Sequence, residues 1–264
     1  MAGQRNLYRT QHQRNLIMRM TNKVVLITGA SRGLGLSLAR RFAREGASVA
    51  LTYNTDAAAA DRNVEALVAE GAQAMAIGGD ISDPDAVKAI FAAVLARFGR
   101  IDIVVANAGR ELIDTPITEI DNAMFEAVTK TNVFGTFYTL RESARHVTDG
   151  GRIIVISSTT TIVPNAGFTA YAGSKAAGRL YVECLAQEMG KRNVTVNGVV
   201  PGPLRDAGVI ANLQENDYQA LAQLSPFARL GSVADVEGAV LFLASDDAAW
   251  ISGHHLVVNG AAKV

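Results

Sequence analysis

Tyr171 and Lys175 stand four residues apart in Tyr171-Ala-Gly-Ser-Lys175, and Ser158 lies thirteen residues before the tyrosine, just after the apolar run Arg152–Ile156. A Tyr and a Lys at this spacing share one helix face, a turn apart. An ammonium beside a phenol favours the phenolate, so the tyrosine is expected to fall from its reference near ~10 toward working pH. A tyrosine so placed can pass a proton to or from an alcohol oxygen, with a hydroxyl such as Ser158 holding that oxygen. The chemistry implied is proton transfer at a carbonyl or secondary alcohol. Tyr-x-x-x-Lys alone is common on helix faces, so its weight depends on what accompanies it.

Two further patterns precede it. Thr28-Gly-Ala-Ser-Arg-Gly-Leu-Gly35 places Gly29, Gly33 and Gly35 between an apolar strand and a helical pattern. Such a turn leaves the backbone bare enough to approach a pyrophosphate and aims a helix N-terminus at it. The next strand ends Thr52-Tyr53-Asn54-Thr55, without the acid that would bond a ribose diol, and Arg32 can reach a 2′-phosphate. This favours NADP(H) and leaves NAD(H) usable; Asp56, just beyond, argues the other way.

Composition narrows the class. The chain has 264 residues, 49% hydrophobic and 19% charged, enough for one large α/β domain with a sizeable core. Lys+Arg and Asp+Glu both number 25, which argues against a nucleic-acid-binding surface. No apolar run approaches the ~20 residues that span a bilayer, so a cytoplasmic protein is expected, with no membrane partner. A single cysteine, Cys184, excludes an intramolecular disulfide and suits a small core or interface residue. His12, His146, His254 and His255 show no zinc spacing with it, so no metal is expected; His254-His255 should start the last strand at a subunit contact. Residues 1–20 carry Arg5, Arg9, Arg14 and Arg19 and no acid. A transit peptide would look like this, but little Ser and a weak amphipathic pattern favour a disordered basic tail, or initiation at Met18 or Met20.

The elements that must position these residues alternate. Strands are expected at Val24–Ile27, Ser48–Tyr53, Ala74–Ile77, Ile103–Ala106, Arg152–Ile156, Val194–Val199 and His255–Val258. Helices are expected at Leu34–Glu45, Ala57–Glu70, Asp83–Phe98, Glu119–His146 (broken near Asn132–Gly135), Ala170–Gly190 and Val233–Ser245. Alternation implies right-handed crossovers and a Rossmann-type, doubly wound parallel sheet of about seven strands, with helices on both faces. Its ligand crevice lies beyond the carboxyl ends of the strands, where every motif above falls. Residues 21–264 read as a single domain, with an irregular, lid-like segment at about 203–227.

With Asn107-Ala108-Gly109 after the fourth strand, the three patterns in this order resemble the short-chain dehydrogenase/reductase family, from about Thr21 to the C-terminus. The likeness extends to 3-oxoacyl-carrier-protein reductases and polyketide ketone reductases. It implies a catalytic set of Asn132, Ser158, Tyr171 and Lys175. Tyr171 would be the acid/base, Lys175 would lower its pKa and bind the ribose, Ser158 would orient the oxygen, and Asn132 would hold a water linking Lys175 to solvent. The coenzyme contacts would be Gly29, Ser31, Arg32, Gly33, Leu34 and Gly35 in the turn; Tyr53, Asn54 and Thr55; Asp80 (on the adenine amine) and Ile81; Asn107, Ala108 and Gly109; Tyr171 and Lys175; and Pro201, Gly202 and Leu204. Where the family usually has a carboxamide-binding Thr, this chain has Pro203-Leu-Arg-Asp206.

The expected function is therefore hydride transfer between a nicotinamide coenzyme and a small-molecule ketone or secondary alcohol. The alternative is a catalytically weak nucleotide-binding regulatory or scaffold protein of the same fold. The substrate stays open among 3-oxoacyl thioesters, sugars or polyols, and polyketide-like ketones, with 159–168 and 203–227 lining the pocket. The resemblance also implies a homotetramer, because the helix at 170–190 is apolar on several sides and the family pairs it across a two-fold axis.

Overall fold

Short β-branched runs become the sheet. The computed structural model describes residues 19–208 and 214–263; the expectations for residues 1–18 lie outside the described residues. Strands β1 (Val24–Ile27), β4 (Ile103–Ala106), β5 (Arg152–Ile156) and β6 (Thr195–Pro201) are buried at every position, as central strands covered on both faces must be. They join β2 (Ser48–Tyr53), β3 (Ala74–Gly78) and β7 (His255–Val258) in a seven-stranded sheet of order β3-β2-β1-β4-β5-β6-β7. Every neighbouring pair is parallel. The chain runs outward from β1 to β3, returns to β4, and then proceeds to β7. The two directions part between β1 and β4, and there the crevice opens.

Helices α1 (Gly33–Arg44), α2 (Ala57–Ala69), α3 (Pro84–Phe98), α4 (Asn122–Thr129), α5 (Thr136–His146), α6 (Thr169–Met189), α7 (Glu215–Ala222) and α8 (Val233–Ala244) surround the sheet. On one face, Leu38 and Phe42 of α1 and Val236 and Val240 of α8 pack on Val25, Ile27, Val105 and Ile154. On the other, Val87, Ile90 and Phe91 of α3 cover Leu26 and Val104, while Leu140 of α5 and Val182 and Leu185 of α6 cover Ile153, Val155 and Val196.

Four expectations are corrected. The break foreseen at Asn132–Gly135 is one wide π turn, Lys130–Gly135, that joins α4 to α5 without interrupting the helix. The segment at 203–227 is less irregular than its composition implied, because it contains α7. Cys184 is exposed, which removes the core alternative and leaves the interface one. Met20, assigned to a disordered extension, is buried, and its N–H donates to Glu45 O at 3.0 Å. No helix among the described residues is long and apolar enough to cross a membrane, and no group of three or more His, Cys, Asp or Glu among them is placed to hold a metal.

Candidate active site

The crevice floor is stitched by Thr28 and Asn107. Thr28 Oγ1 accepts from the N–H groups of Asn107 and Ala108, both at 3.0 Å, and Asn107 Nδ2 donates to Thr28 O and Gly29 O at 2.9 and 3.0 Å. These bonds lock the turn after β1 onto the turn after β4. Close approach then dictates the glycines. A Cβ on Gly29, at φ +63°, would lie 2.8 Å from Ala108 Cα, and one on Gly35 would lie 2.6 Å from Asn107 Nδ2. Helix α1 begins at Gly33 with no side-chain cap and no acid in its first turn, so its amide end suits an anion.

Around this floor, Arg32, Asn54 and Thr55 are exposed at the mouth. Asp56 is engaged elsewhere: its carboxylate caps α2, accepting from Ala59 N at 2.9 Å. Ser31 O accepts from Asn63 Nδ2 at 2.9 Å, and Tyr53 packs over Gly78. Asp80 Oδ1 accepts from Ser82 N at 2.9 Å, holding the turn after β3. Leu34, Ile81 and Leu204 are core side chains. Pro201 closes β6, and Gly202 N donates to Val258 O at 3.0 Å.

The proton-transfer residues converge beside the floor, from three elements. Tyr171 and Lys175 lie on one face of α6, and Ser158 follows β5. Lys175 Nζ donates to Ile156 O at 3.0 Å and lies 6.0 Å from the Tyr171 ring centre. A Cβ on Gly109 would sit 3.0 Å from that Nζ and 3.4 Å from Asn132 Oδ1. Asn132, buried in the π turn, accepts from Arg110 N and donates to Arg110 O, both at 2.8 Å, and to Ser174 Oγ at 2.9 Å. Ser174 in turn donates to Tyr171 O at 2.7 Å. The amide of Asn132 thus staples the Gly109–Arg110 loop to α6. Ser158 Oγ accepts from Thr160 N and Oγ1 at 3.3 and 3.0 Å.

The electrostatics reverse one expectation. Burial pushes the Tyr171 phenol above its ordinary value, the Glu111 carboxylate pushes the same way, and the Ser158 hydrogen bond opposes them. Burial also pulls Lys175 down to about 8, against the pull of Glu111. The expected depression of the phenol by its ammonium neighbour is outweighed, because desolvation disfavours both charged forms. Desolvation thus favours the uncharged form of each group. Glu111 is a site residue the sequence reading missed. Its only signal is an acid two residues after Asn107-Ala-Gly109. Neither of two cavities is lined by Tyr171 or Lys175. One, of about 340 Å³, lies between Arg205 and Ser232, and one of about 440 Å³ is lined by Ile117, Phe125, Val133 and Ala170.

Comparison with known proteins finds relatives of this chain and of its fold. The family profile described as enoyl-(acyl carrier protein) reductase matches residues 29–261. Versicolorin reductase 1 of Aspergillus parasiticus is 38% identical over 92% of this chain and 97% of its own length. A short-chain dehydrogenase/reductase of Serratia marcescens superposes with a TM-score of 0.88 at 33% identity, covering 93% of this chain and all of that one (100%). A short-chain dehydrogenase of Burkholderia cenocepacia, solved in complex with NADP, gives 0.87 at 34% identity, over 93% of this chain and 100% of its own.

Proposed function

Because the chain belongs to the short-chain dehydrogenase/reductase family, we propose that it is an NADP(H)-dependent reductase of neutral ketones. The observation that carries this reading is the convergence of the buried Tyr171 phenol with Ser158 and with Lys175 a helical turn away. A phenol kept neutral is set to give a proton to a carbonyl oxygen rather than to remove one from an alcohol. When bound, the nicotinamide supplies the hydride. Ser158 would hold the ketone oxygen within reach of Tyr171, and Lys175 would steady the phenolate left after the proton has moved. Asn132 acts one step removed, fixing the loop that abuts Lys175.

The residues fit the coenzyme. The glycine turn brings bare backbone to the uncapped start of α1, and Gly29 and Gly35 let that turn pack against Ala108 and Asn107. Arg32 is the cation for a 2′-phosphate, and with Asp56 spent on capping α2, the acid that argued for NAD(H) no longer competes. The bound NADP of the Burkholderia structure supports the same preference. For the substrate, the likeness to versicolorin reductase favours an aromatic polyketide-type ketone over a carrier-bound thioester. Arg205 in the 203–227 segment is paired with Glu215 at 3.0 Å. Assembly as a homotetramer is supported by one apolar face. Phe125, Phe134, Phe137 and Leu180 of α4, the π turn, α5 and α6 are all exposed, Leu180 at 63%.

The test is coenzyme oxidation with a panel of bicyclic and polycyclic aromatic ketones, in NADPH and in NADH. Turnover with NADPH is expected, and Tyr171→Phe should lower it by several orders of magnitude while leaving coenzyme binding nearly intact, since only the transferable proton is lost. Wild-type-like turnover in that variant would sink the mechanism.

A further inference from the structure

Ser158 is held from both sides by one helix. Two cations, Lys175 and Arg179, stand one turn apart on α6. Lys175 Nζ donates to Ile156 O at 3.0 Å, two residues before Ser158. Arg179 Nη1 donates to Thr161 Oγ1 at 3.4 Å, three residues after it. Thr161 Oγ1 in turn donates to Ser158 O at 2.8 Å, and Thr161 N donates to the same oxygen at 3.1 Å. A guanidinium has only donors and a hydroxyl has one proton, so the relay runs one way, from Arg179 through Thr161 to Ser158. Each link polarises the next. The acid that a helical arginine would ordinarily pair with stands one turn on, at Glu183. Its Oε1 lies 3.3 Å from His255 Nε2 on β7, where the ring is wedged so closely that a Cβ on Gly198 would lie 3.0 Å from its Cε1. Glu183 is thus turned toward the sheet edge, and among the described residues the one side-chain hydrogen bond of Arg179 goes to a neutral hydroxyl. Past the short turn Thr159–Thr161 the chain is exposed at Ile162 and at residues 164–166. It is next tied to a distant segment where Gly167 O accepts from Thr115 N at 3.1 Å.

We propose that Arg179 is a positioning residue of the reaction: through Thr161 it fixes the Ser158 turn to the helix that carries Tyr171, so that the serine hydroxyl meets the substrate oxygen at the tyrosine. This rests on Ser158 and Tyr171 acting as assigned above. Tyr171, Lys175 and Arg179 follow one another at four-residue intervals on α6, about 6 Å of helix rise apart. With Lys175 gripping Ile156 and Arg179 gripping Thr161, the segment between them is braced at both ends against one rigid element. Without Arg179 the near end stays tied at Ile156, while the far end moves with the exposed loop that follows it. Arg179 acts only through Thr161, so its loss loosens Ser158 without removing any group that touches the substrate oxygen.

The experiment first reads the turn without substrate. Arg179→Met removes the donor and keeps the stem, Arg179→Lys puts a donor back, and Thr161→Val removes the hydroxyl at constant shape. Hydrogen exchange is followed by NMR at the amides of Thr161, Ile162 and Val163, which bond to Ser158 O and Thr159 O. Arg179→Met and Thr161→Val should each speed exchange by about three- to tenfold, the worth of one hydrogen bond, and Arg179→Lys should recover part of the loss. With NADPH and the ketone turned over fastest, Arg179→Met should lower kcat by about the same factor and leave the coenzyme Kd unchanged. In a Ser158→Ala background the same substitution should cost nothing more, because its effect passes through Ser158; a merely structural loss would add in full. Unchanged exchange in an Arg179→Met protein that melts normally would overturn the proposal, and so would full additivity with Ser158→Ala. If Arg179→Met does not fold, Thr161→Val is judged by the same two measurements, and if no ketone is turned over, exchange alone decides. The two readings fail separately: wild-type turnover in Ser158→Ala sinks the role of the serine, whereas unmoved exchange sinks only that of Arg179.

Discussion

Replacing Asn132 by Ala distinguishes a structural staple from a water carrier. The side chain makes three hydrogen bonds, two to Arg110 and one to Ser174. Arg110 is exposed as a residue, so its freed N–H and C=O can partly rehydrate, and each lost bond there costs about 0.5–1.5 kcal/mol. Ser174 is buried and keeps its own donation to Tyr171 O, so losing its other partner costs a further ~1 kcal/mol. The vacated volume in the π turn adds to this. The sum is roughly 2–4 kcal/mol, which in a chain of this length lowers Tm by about 5–15 °C. Turnover falls as well, because the loop that abuts Lys175 Nζ through Gly109 is no longer held. Asn132→Asp is expected to be no better: one carboxylate oxygen still accepts from Arg110 N, but the other faces the Arg110 carbonyl, and a buried charge is introduced. Calorimetry of wild type and both variants, paired with NADPH turnover, is the assay. If Asn132→Ala melted within about 2 °C of wild type while losing turnover, the staple would be refuted and a water-holding role favoured.

Three further outcomes are expected. Arg32→Ala should weaken NADPH by about ten- to hundredfold and leave NADH nearly untouched, since a charge-assisted contact contributes roughly 1.5–3 kcal/mol; Tyr53→Asp should reverse the preference, and equal kcat/KM for both coenzymes in wild type would contradict the assignment. Lys175 titrates near 8 when folded against 10.5 ordinarily, so between those values the unfolded chain holds the proton that the folded chain has released. Its contribution to stability is therefore gained as pH rises through this window and lost as pH falls below it, and Lys175→Met should flatten the pH dependence of urea unfolding there; an unchanged slope would count against a buried ammonium. Light scattering at micromolar concentration should give the mass of a tetramer, and charging the apolar face with Leu180→Glu should dissociate it; a monomeric wild type would rule this assembly out.

The fold was legible because its signals are local. Parallel strands buried on both faces must be short β-branched runs, and Val24–Ile27 and Ile103–Ala106 could be read to the residue. Gly29 and Gly35 are forced by close approach to Ala108 and Asn107, so the turn was visible as spacing, and the Tyr-Lys pair as a helical interval. Local sequence does not record which distant backbone a side chain will meet. Asn132 stands in the break expected at Asn132–Gly135, yet its partners, Arg110 and Ser174, lie 22 and 42 residues away, and only the folded chain brings them together. Asp56 was ambiguous until the start of α2 claimed its carboxylate. The expectation for the Tyr171 phenol failed for a related reason. Spacing reveals a neighbouring ammonium, but the dominant effect is desolvation, which depends on everything packed around the ring, together with the charge of Glu111 arriving from a loop sixty positions earlier. Sequence determined which groups could do the chemistry; tertiary structure decided how deeply they are buried and which charges they face, because burial and through-space charge are properties of the assembled site.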